Sequence, residues 1–256
     1  MVKLPDRVLL DGARVGFVTH CGAVRAENQD SLYVPDPDEV DVKGRGILVA
    51  VADGMGGHAG GALASATVVQ TLAEYYQGQA SGLPLDLLAL SRIESAHHKL
   101  RELSRARESL KGMGTTLTAA LVQGRTLELF HVGDSRAYLF RGGELSQVSR
   151  DHTLLARWAE QNPGRPPRNL GKNVLTRAVG VGDKVLEVDR ATRALEPGDR
   201  LLLSSDGLHG VVAQADIAAT LLVAKTPWEA ARRLIDLALK ANAPDNVTVV
   251  VVELSK

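Results

Sequence analysis

Between residues 112 and 148, four strand-length segments follow one another with no helix-length segment among them. Residues 115–122, 126–132, 136–140 and 144–148 carry the aliphatic, β-branched and aromatic side chains that suit a pleated surface. Gly124 and the pair Gly142-Gly143 separate them and read as hairpin turns. Strands joined by such turns run antiparallel, because a parallel pair needs a crossover of about a dozen residues or more. Helical segments also come in succession. Residues 62–76 are followed directly by about 84–110, where Pro84 suits a first turn and Leu88, Ile93, Ala96, Leu100 and Leu103 recur near helical spacing. A chain that groups its strands and its helices predicts antiparallel sheets with helices packed outside, an α+β fold.

The flanking segments extend this pattern. Strands are expected at 14–19, 31–34, 47–52, 184–190, 200–204 and 246–254, and helices at 153–160 and 227–241. Residues 21–30 are polar and irregular, 35–46 read as a surface loop, and 162–172, with three prolines and two glycines, read as a mobile loop. No repeat or internal domain boundary is visible.

Composition narrows the function classes. Thirty basic and thirty acidic residues cancel in this 256-residue chain, so no net field favours nucleic acid or an anionic membrane. The single cysteine, Cys21, excludes an internal disulfide framework and a thiolate zinc cluster, and is in keeping with the cytoplasm. No apolar run approaches the roughly 18 residues that span a bilayer, and the polar stretch 1–7 does not read as a signal peptide. Metal ligands, if any, must be oxygen or imidazole.

The strand at 47–52 ends on Asp53, followed by glycines at 54, 56, 57 and 60. Two readings compete there. Gly54-Met55-Gly56-Gly57-His58-Ala59 fits a dinucleotide-binding turn, with Glu74 about twenty residues on where that motif places an acid. Alternatively, Asp53 is a metal ligand with the Gly54 carbonyl beside it. A second helix follows the first with no parallel strand between, which counts against the dinucleotide reading. A carboxylate flanking an apolar strand also recurs, at Asp30, Asp53, Asp134, Asp206 and Asp245. Each alone fits an ordinary turn. Five together supply the hard oxygen donors that suit magnesium or manganese, and clustered carboxylates need cations. Arg25, five residues before Asp30, has the planar fork that matches phosphate oxygens.

These residues lie in segments that resemble the metal-dependent protein phosphatases, the protein phosphatase 2C-like (PPM) family, in their compact bacterial form. The matching segments are Arg25-Ala26-Glu27-Asn28-Gln29-Asp30, Asp53-Gly54-Met55-Gly56-Gly57-His58, Gly112-Met113-Gly114-Thr115-Thr116, Gly133-Asp134-Ser135-Arg136, Asp151-His152, Leu175-Thr176-Arg177, Ser205-Asp206-Gly207 and Pro244-Asp245-Asn246. They occur in the family's order across about residues 12–254. The resemblance implies an α-β-β-α four-layer sandwich, two mostly antiparallel sheets flanked by helix pairs. It implies one phosphatase domain over 1–256 with a short flap at about 151–180.

It also implies hydrolysis of phosphoserine and phosphothreonine by a hydroxide bridging two Mn²⁺ or Mg²⁺ ions. Asp53 would bridge the ions, the Gly54 carbonyl, Asp206 and Asp245 would ligate them, and Asp30 would act through water. Arg25 would bind the phosphate, and Asp134 would hold a third, weaker ion. The implied partners are phosphorylated proteins, a Ser/Thr kinase and its substrates, met by a monomer.

Gln29 and Gly210 stand where many members carry acids, and Gly210 puts the third ion in doubt. Met55 replaces a histidine of animal relatives, so the sequence does not identify the general acid. His58 and His152 are nearest the expected site, whereas His97 and His98 are expected in solvent, His20 and His131 in structural roles, and Cys21 in the interior. Two rival readings are a binding module with a dead site and a nucleotide-dependent oxidoreductase.

Overall fold

The computed structural model describes residues 7–8, 13–56, 58–77, 82–162, 164–167, 170–171, 173–182 and 185–255, with the side chains of 7, 8, 58 and 59 left aside. The strands are β1 (Arg7–Val8), β2 (Arg14–His20), β3 (Asp30–Tyr33), β4 (Ile47–Met55), β5 (Gly114–Thr115), β6 (Leu117–Gln123), β7 (Thr126–Val132), β8 (Arg136–Arg141), β9 (Glu144–Gln147), β10 (Asp189–Ala194), β11 (Arg200–Ser204) and β12 (Val247–Glu253). The helices are α1 (Val42–Arg45), α2 (His58–Ala73), α3 (Leu85–Ala106), α4 (Leu154–Gln161), α5 (Asp206–His209), α6 (Gln214–Val223) and α7 (Pro227–Lys240).

Two antiparallel sheets form, ordered β1-β2-β12-β11-β8-β9 and β10-β7-β6-β4-β3, with β5 paired to β4. Strand alternation sorts their side chains into three cores. On β4, Leu48 and Ala50 face α2 and α3, whereas Ile47, Val49 and Val51 face the other sheet. On β12, Val250 and Val252 meet them between the sheets, and Val249 and Val251 face α6 and α7. The result is the expected α-β-β-α sandwich.

The antiparallel pairing removes the dinucleotide reading, which requires a parallel strand after the first helix. The strand expected at 184–190 instead runs Asp189–Ala194. There it pairs with β7 from Asp189↔His131 to Ala194↔Thr126. The alternation at 185–188 has another cause: Leu186 and Val188 pack against the α2–α3 core outside any strand. The loop at 35–46 contains α1, capped by the Asp41 side chain accepting from the Gly44 amide at 2.8 Å. Helix α6 occupies a stretch that sequence patterning leaves blank. The loop expected at 162–172 lies partly outside the described residues. No helix among the described residues is long and apolar enough to cross a membrane.

Because β3 ends at the Tyr33↔Ala50 pair, it leaves the Leu48 amide without a neighbour on that side. The buried Tyr76 hydroxyl fills the gap. It accepts from the Leu48 amide at 2.8 Å and donates to the Gly46 carbonyl at 2.8 Å. Tyr76→Phe leaves that buried amide unpaired and lowers unfolding free energy by about 1–3 kcal/mol, read as a lower urea midpoint at unchanged slope.

Candidate metal and phosphate site

Asp53 lies inside β4, not at its end, because the strand continues through Gly54 and Met55 to pair with β5. Strand parity carries it to the same face as Val49 and Val51, between the sheets. Its backbone is fixed on both sides. The Asp53 amide donates to Thr116 Oγ1 at 2.9 Å, and its carbonyl accepts from the Thr116 amide at 2.9 Å and Thr115 Oγ1 at 2.8 Å. Gly54 is required by close approach: a Cβ there would lie 2.1 Å from the Gly61 carbonyl oxygen of α2 and 2.7 Å from that of Gln29. Gly54 thus seats α2 against β4.

Asp30 opens β3 directly opposite Asp53 in register. It is buried, and one oxygen, Oδ2, accepts from Ser205 Oγ and Thr248 Oγ1, both at 2.7 Å. Those hydroxyls come from the other sheet's side, so Asp30 ties the two sheets together. Asp206 opens α5, and Asp245 precedes β12. Asn246 holds the irregular segment that precedes β3: its Oδ1 accepts from the Gln29 amide at 2.8 Å, and its Nδ2 donates to the carbonyls of Cys21 and Glu27 at 3.0 and 2.8 Å. That segment carries Arg25, whose guanidinium donates to Asp245 Oδ2 at 2.7 Å and is otherwise largely exposed.

Arg25, Asp53, Gly54, Asp134, Asp206 and Asp245 line one cleft of about 710 Å³. Asp30 lies behind it. Asn173, Val174 and Leu175 also line it. The site therefore gathers every expected residue, and five of its carboxylates come from different parts of the chain.

The charges in this cleft are only partly compensated. Burial, then the nearby Asp30 and Asp206 carboxylates, push the Asp53 carboxyl well above its usual range. Burial raises Asp30 to about 6 despite its two hydroxyl donors, and burial with the Asp206 charge raises Asp134 to about 7. Asp206 is raised by burial and then by Asp245. Asp30 Oδ1 and Asp206 Oδ1 are buried without a hydrogen-bond partner. Arg25 is one cation against five acids, and its own pKa rises through its bond to Asp245.

Orphaned carboxylate oxygens in a cluster that favours protonation are what divalent cations would satisfy, so the residues fit the implied metals. Among the described residues, no three Asp, Glu, His or Cys side chains close on a single point. The set suits a hard cation held by one or two carboxylates with backbone oxygen and water. Gly210 adds no acid: it closes α5, its amide donates to the Asp206 carbonyl at 2.7 Å, and a Cβ there would sit 2.8 Å from that oxygen.

The histidines divide differently from expectation. His97 is buried, not solvated, and its Nδ1 accepts from the Gly180 amide at 3.0 Å; His98 is exposed as expected. His152 is also buried. Its Nδ1 accepts from the Gly133 amide at 3.1 Å and its Nε2 meets Asp189 Oδ2 at 3.1 Å, so both ring nitrogens are engaged. His131 is buried on β7, and burial lowers its pKa to about 4. The His58 side chain lies outside the described residues. Cys21 is half-buried rather than interior.

The holding residues Ser205, Thr248, Thr115, Thr116 and Asn246 all lie within or beside the motifs quoted above. Only their contacts reveal their roles.

The protein phosphatase 2C family profile matches residues 19–241. The chain is 39% identical over 242 residues to the serine/threonine protein phosphatase PstP of Mycobacterium tuberculosis, covering 91% of this chain and 43% of that protein. It thus spans less than half the length of that relative. It is 34% identical over 243 residues to the serine/threonine phosphatase stp of Listeria monocytogenes, covering 93% of this chain and 94% of that protein. Among solved structures, it is similar to the catalytic domain of PstP in complex with 2 manganese ions. That match has a TM-score of 0.82 at 36% identity, over 95% of this chain and 99% of that one.

Proposed function

The chain belongs to the protein phosphatase 2C family, and on that premise we propose that it hydrolyses phosphoserine and phosphothreonine in proteins. The observation that carries this reading is the convergence of Asp53, Asp206 and Asp245 on one cleft with a single lining guanidinium, Arg25, and with Asp30 buried behind them. Two divalent cations held by Asp53, Asp206, Asp245 and the Gly54 carbonyl would supply an acidified water and positive charge against the phosphoryl oxygens. Manganese is favoured over magnesium by the similarity to a manganese-bound relative. On this reading Asp134 would hold a third ion without help from Gly210.

The chain's own residues bind and orient. Asp245 aims the Arg25 guanidinium over the cleft, leaving its remaining N–H groups to donate to phosphate oxygens. Thr115 and Thr116 fix the backbone that presents Asp53, and Ser205 and Thr248 hold the Asp30 carboxylate itself, which limits reorganisation as charge develops. Water oxygen forms the new bond to phosphorus, and the bond to the serine or threonine oxygen breaks. That oxygen takes a proton and leaves as the free hydroxyl. Water or an acid of the site delivers this proton.

We place the protein in the cytoplasm as one domain with a flap after β9, acting on a Ser/Thr kinase and that kinase's substrates. With manganese present, the protein should hydrolyse both p-nitrophenyl phosphate and phosphothreonine peptides. Absence of turnover on both would leave the dead-site binding module standing.

A further inference from the structure

A second cavity, of about 570 Å³, adjoins the catalytic cleft. One run of chain walls both. Asn173, Val174 and Leu175 face the catalytic cleft, and the next three residues, Thr176, Arg177 and Ala178, face the second cavity. The run is stiffened from behind: Leu154 donates to the Val174 carbonyl at 2.9 Å, and Thr176 donates to the His152 carbonyl at 2.8 Å.

We propose that this second cavity is a substrate subsite that takes an anionic side chain about three residues along the peptide from the phosphoresidue being hydrolysed. The proposal rests on the phosphatase reading. Three arginines, Arg150, Arg157 and Arg177, line the cavity with three acids, but the acids are already engaged. Asp151 is paired with Arg136 at 2.6 Å, Glu160 with Arg150 at 3.1 Å and Glu187 with Arg177 at 3.0 Å. Arg157, exposed on α4, makes no ion pair or side-chain hydrogen bond among the described residues. Its guanidinium is the cavity's uncommitted charge.

The surrounding sequence agrees. From Arg150 to Val185 there are seven Arg and Lys against three Asp and Glu, in a chain whose formal charges cancel overall. A phosphorylated segment is anionic, and charge complementarity of this kind selects partners and speeds their encounter. Spacing gives the offset. Val174 and Arg177 are three positions apart on a run that bends at Thr176, so they stand at most about 10 Å apart, a reach that a peptide covers in about three of its own residues. A carboxylate and a second phosphate both carry the required anion and share the same recognition by Arg157.

The test compares kcat and KM for phosphothreonine peptides with alanine at every flanking position, or with glutamate or a non-hydrolysable phosphonate analogue of phosphoserine three residues to either side. For the unmodified protein, one of the two sides should lower KM about tenfold with kcat unchanged, an effect equivalent to about 1.4 kcal/mol. A gain with glutamate assigns the subsite to acidic residues generally, and a gain only with the phosphonate assigns it to a second phosphate. Arg157→Glu should abolish the preference and replace it with one for lysine at the same position. Arg165→Glu, in the same basic segment but outside the cavity lining, should keep the original preference.

Equal KM for all peptides with the unmodified protein overturns the subsite, as does equal loss of preference in the Arg157 and Arg165 variants. Failure of the unmodified protein to turn over p-nitrophenyl phosphate in the same manganese buffer would instead overturn the phosphatase reading.

Discussion

Asp206→Asn removes activity and stabilises the metal-free protein. In manganese buffer, kcat/KM for p-nitrophenyl phosphate should fall by about 10²–10³-fold or more, the scale of removing one preorganised charge from a reacting centre. The opposite sign of the stability effect follows from the site's charge. Burial and the neighbouring Asp245 raise the Asp206 carboxyl, so the folded state binds a proton more tightly than the unfolded one. Such a group weakens folding as pH rises through its range, and near neutral pH its charge opposes the fold. Asparagine has no charge to repel its neighbours. Calorimetry in the presence of chelator should show a melting temperature a few degrees higher than that of the unmodified protein. Full turnover by the variant would remove Asp206 from the machinery, and a lower metal-free melting temperature would contradict the electrostatic account.

Chelation should abolish turnover, and metal addition should raise the melting temperature steeply and with a pH dependence of its own. Free Mn²⁺ at 100 times its dissociation constant adds about 2.7 kcal/mol per site. For a domain of this size that is roughly 5–10 °C. Between pH 5 and 8, the metal-free protein loses stability as pH rises. Asp30, raised to about 6, and Asp134, raised to about 7, then give up protons that screen the cluster. Metal binding displaces those same protons, so the stabilisation by manganese grows over the same range. Melting curves with and without manganese should therefore diverge as pH increases. Parallel curves would place the metal elsewhere.

The sequence exposes the proposed ligands better than it exposes their supports. Asp53, Asp206 and Asp245 are legible because each flanks an apolar run short enough to be a buried strand, and glycine or asparagine follows. The antiparallel layering is legible because turns, not helices, join the segments from 112 to 148. What stays hidden depends on partners distant in the chain. Asp30 sits behind the cleft because Ser205 and Thr248, 175 and 218 residues away, donate to it.

His97 looks solvated on a helix with Lys99, Arg101 and Glu102. Its burial depends on the Gly180 amide arriving from 83 residues further on. Helix α6 escapes notice because Leu222 and Val223 are 64% and 59% exposed, which blurs the apolar stripe formed by Ile217 and Leu221. The strand at Asp189–Ala194 has a largely exposed, polar sequence, and only the free edge of β7 makes it a strand.

The carboxylates on the two sides of the cleft belong to different sheets, Asp30 and Asp53 to one and the segments bearing Asp206 and Asp245 to the other. The apolar layer between the sheets, from Val49 and Val51 to Leu203 and Val250, together with the bonds from Ser205 and Thr248 to Asp30, sets how far apart the two halves of the proposed ligand set stand. Metal affinity is consequently a gauge of sheet alignment. A substitution deep in that layer that lets one sheet slide by a fraction of an ångström alters the spacing of oxygens it never touches. A bound cation pair, in turn, acts as a rivet that resists the slide. Catalytic competence in this fold is thereby tied to the packing of aliphatic side chains that carry no chemistry themselves.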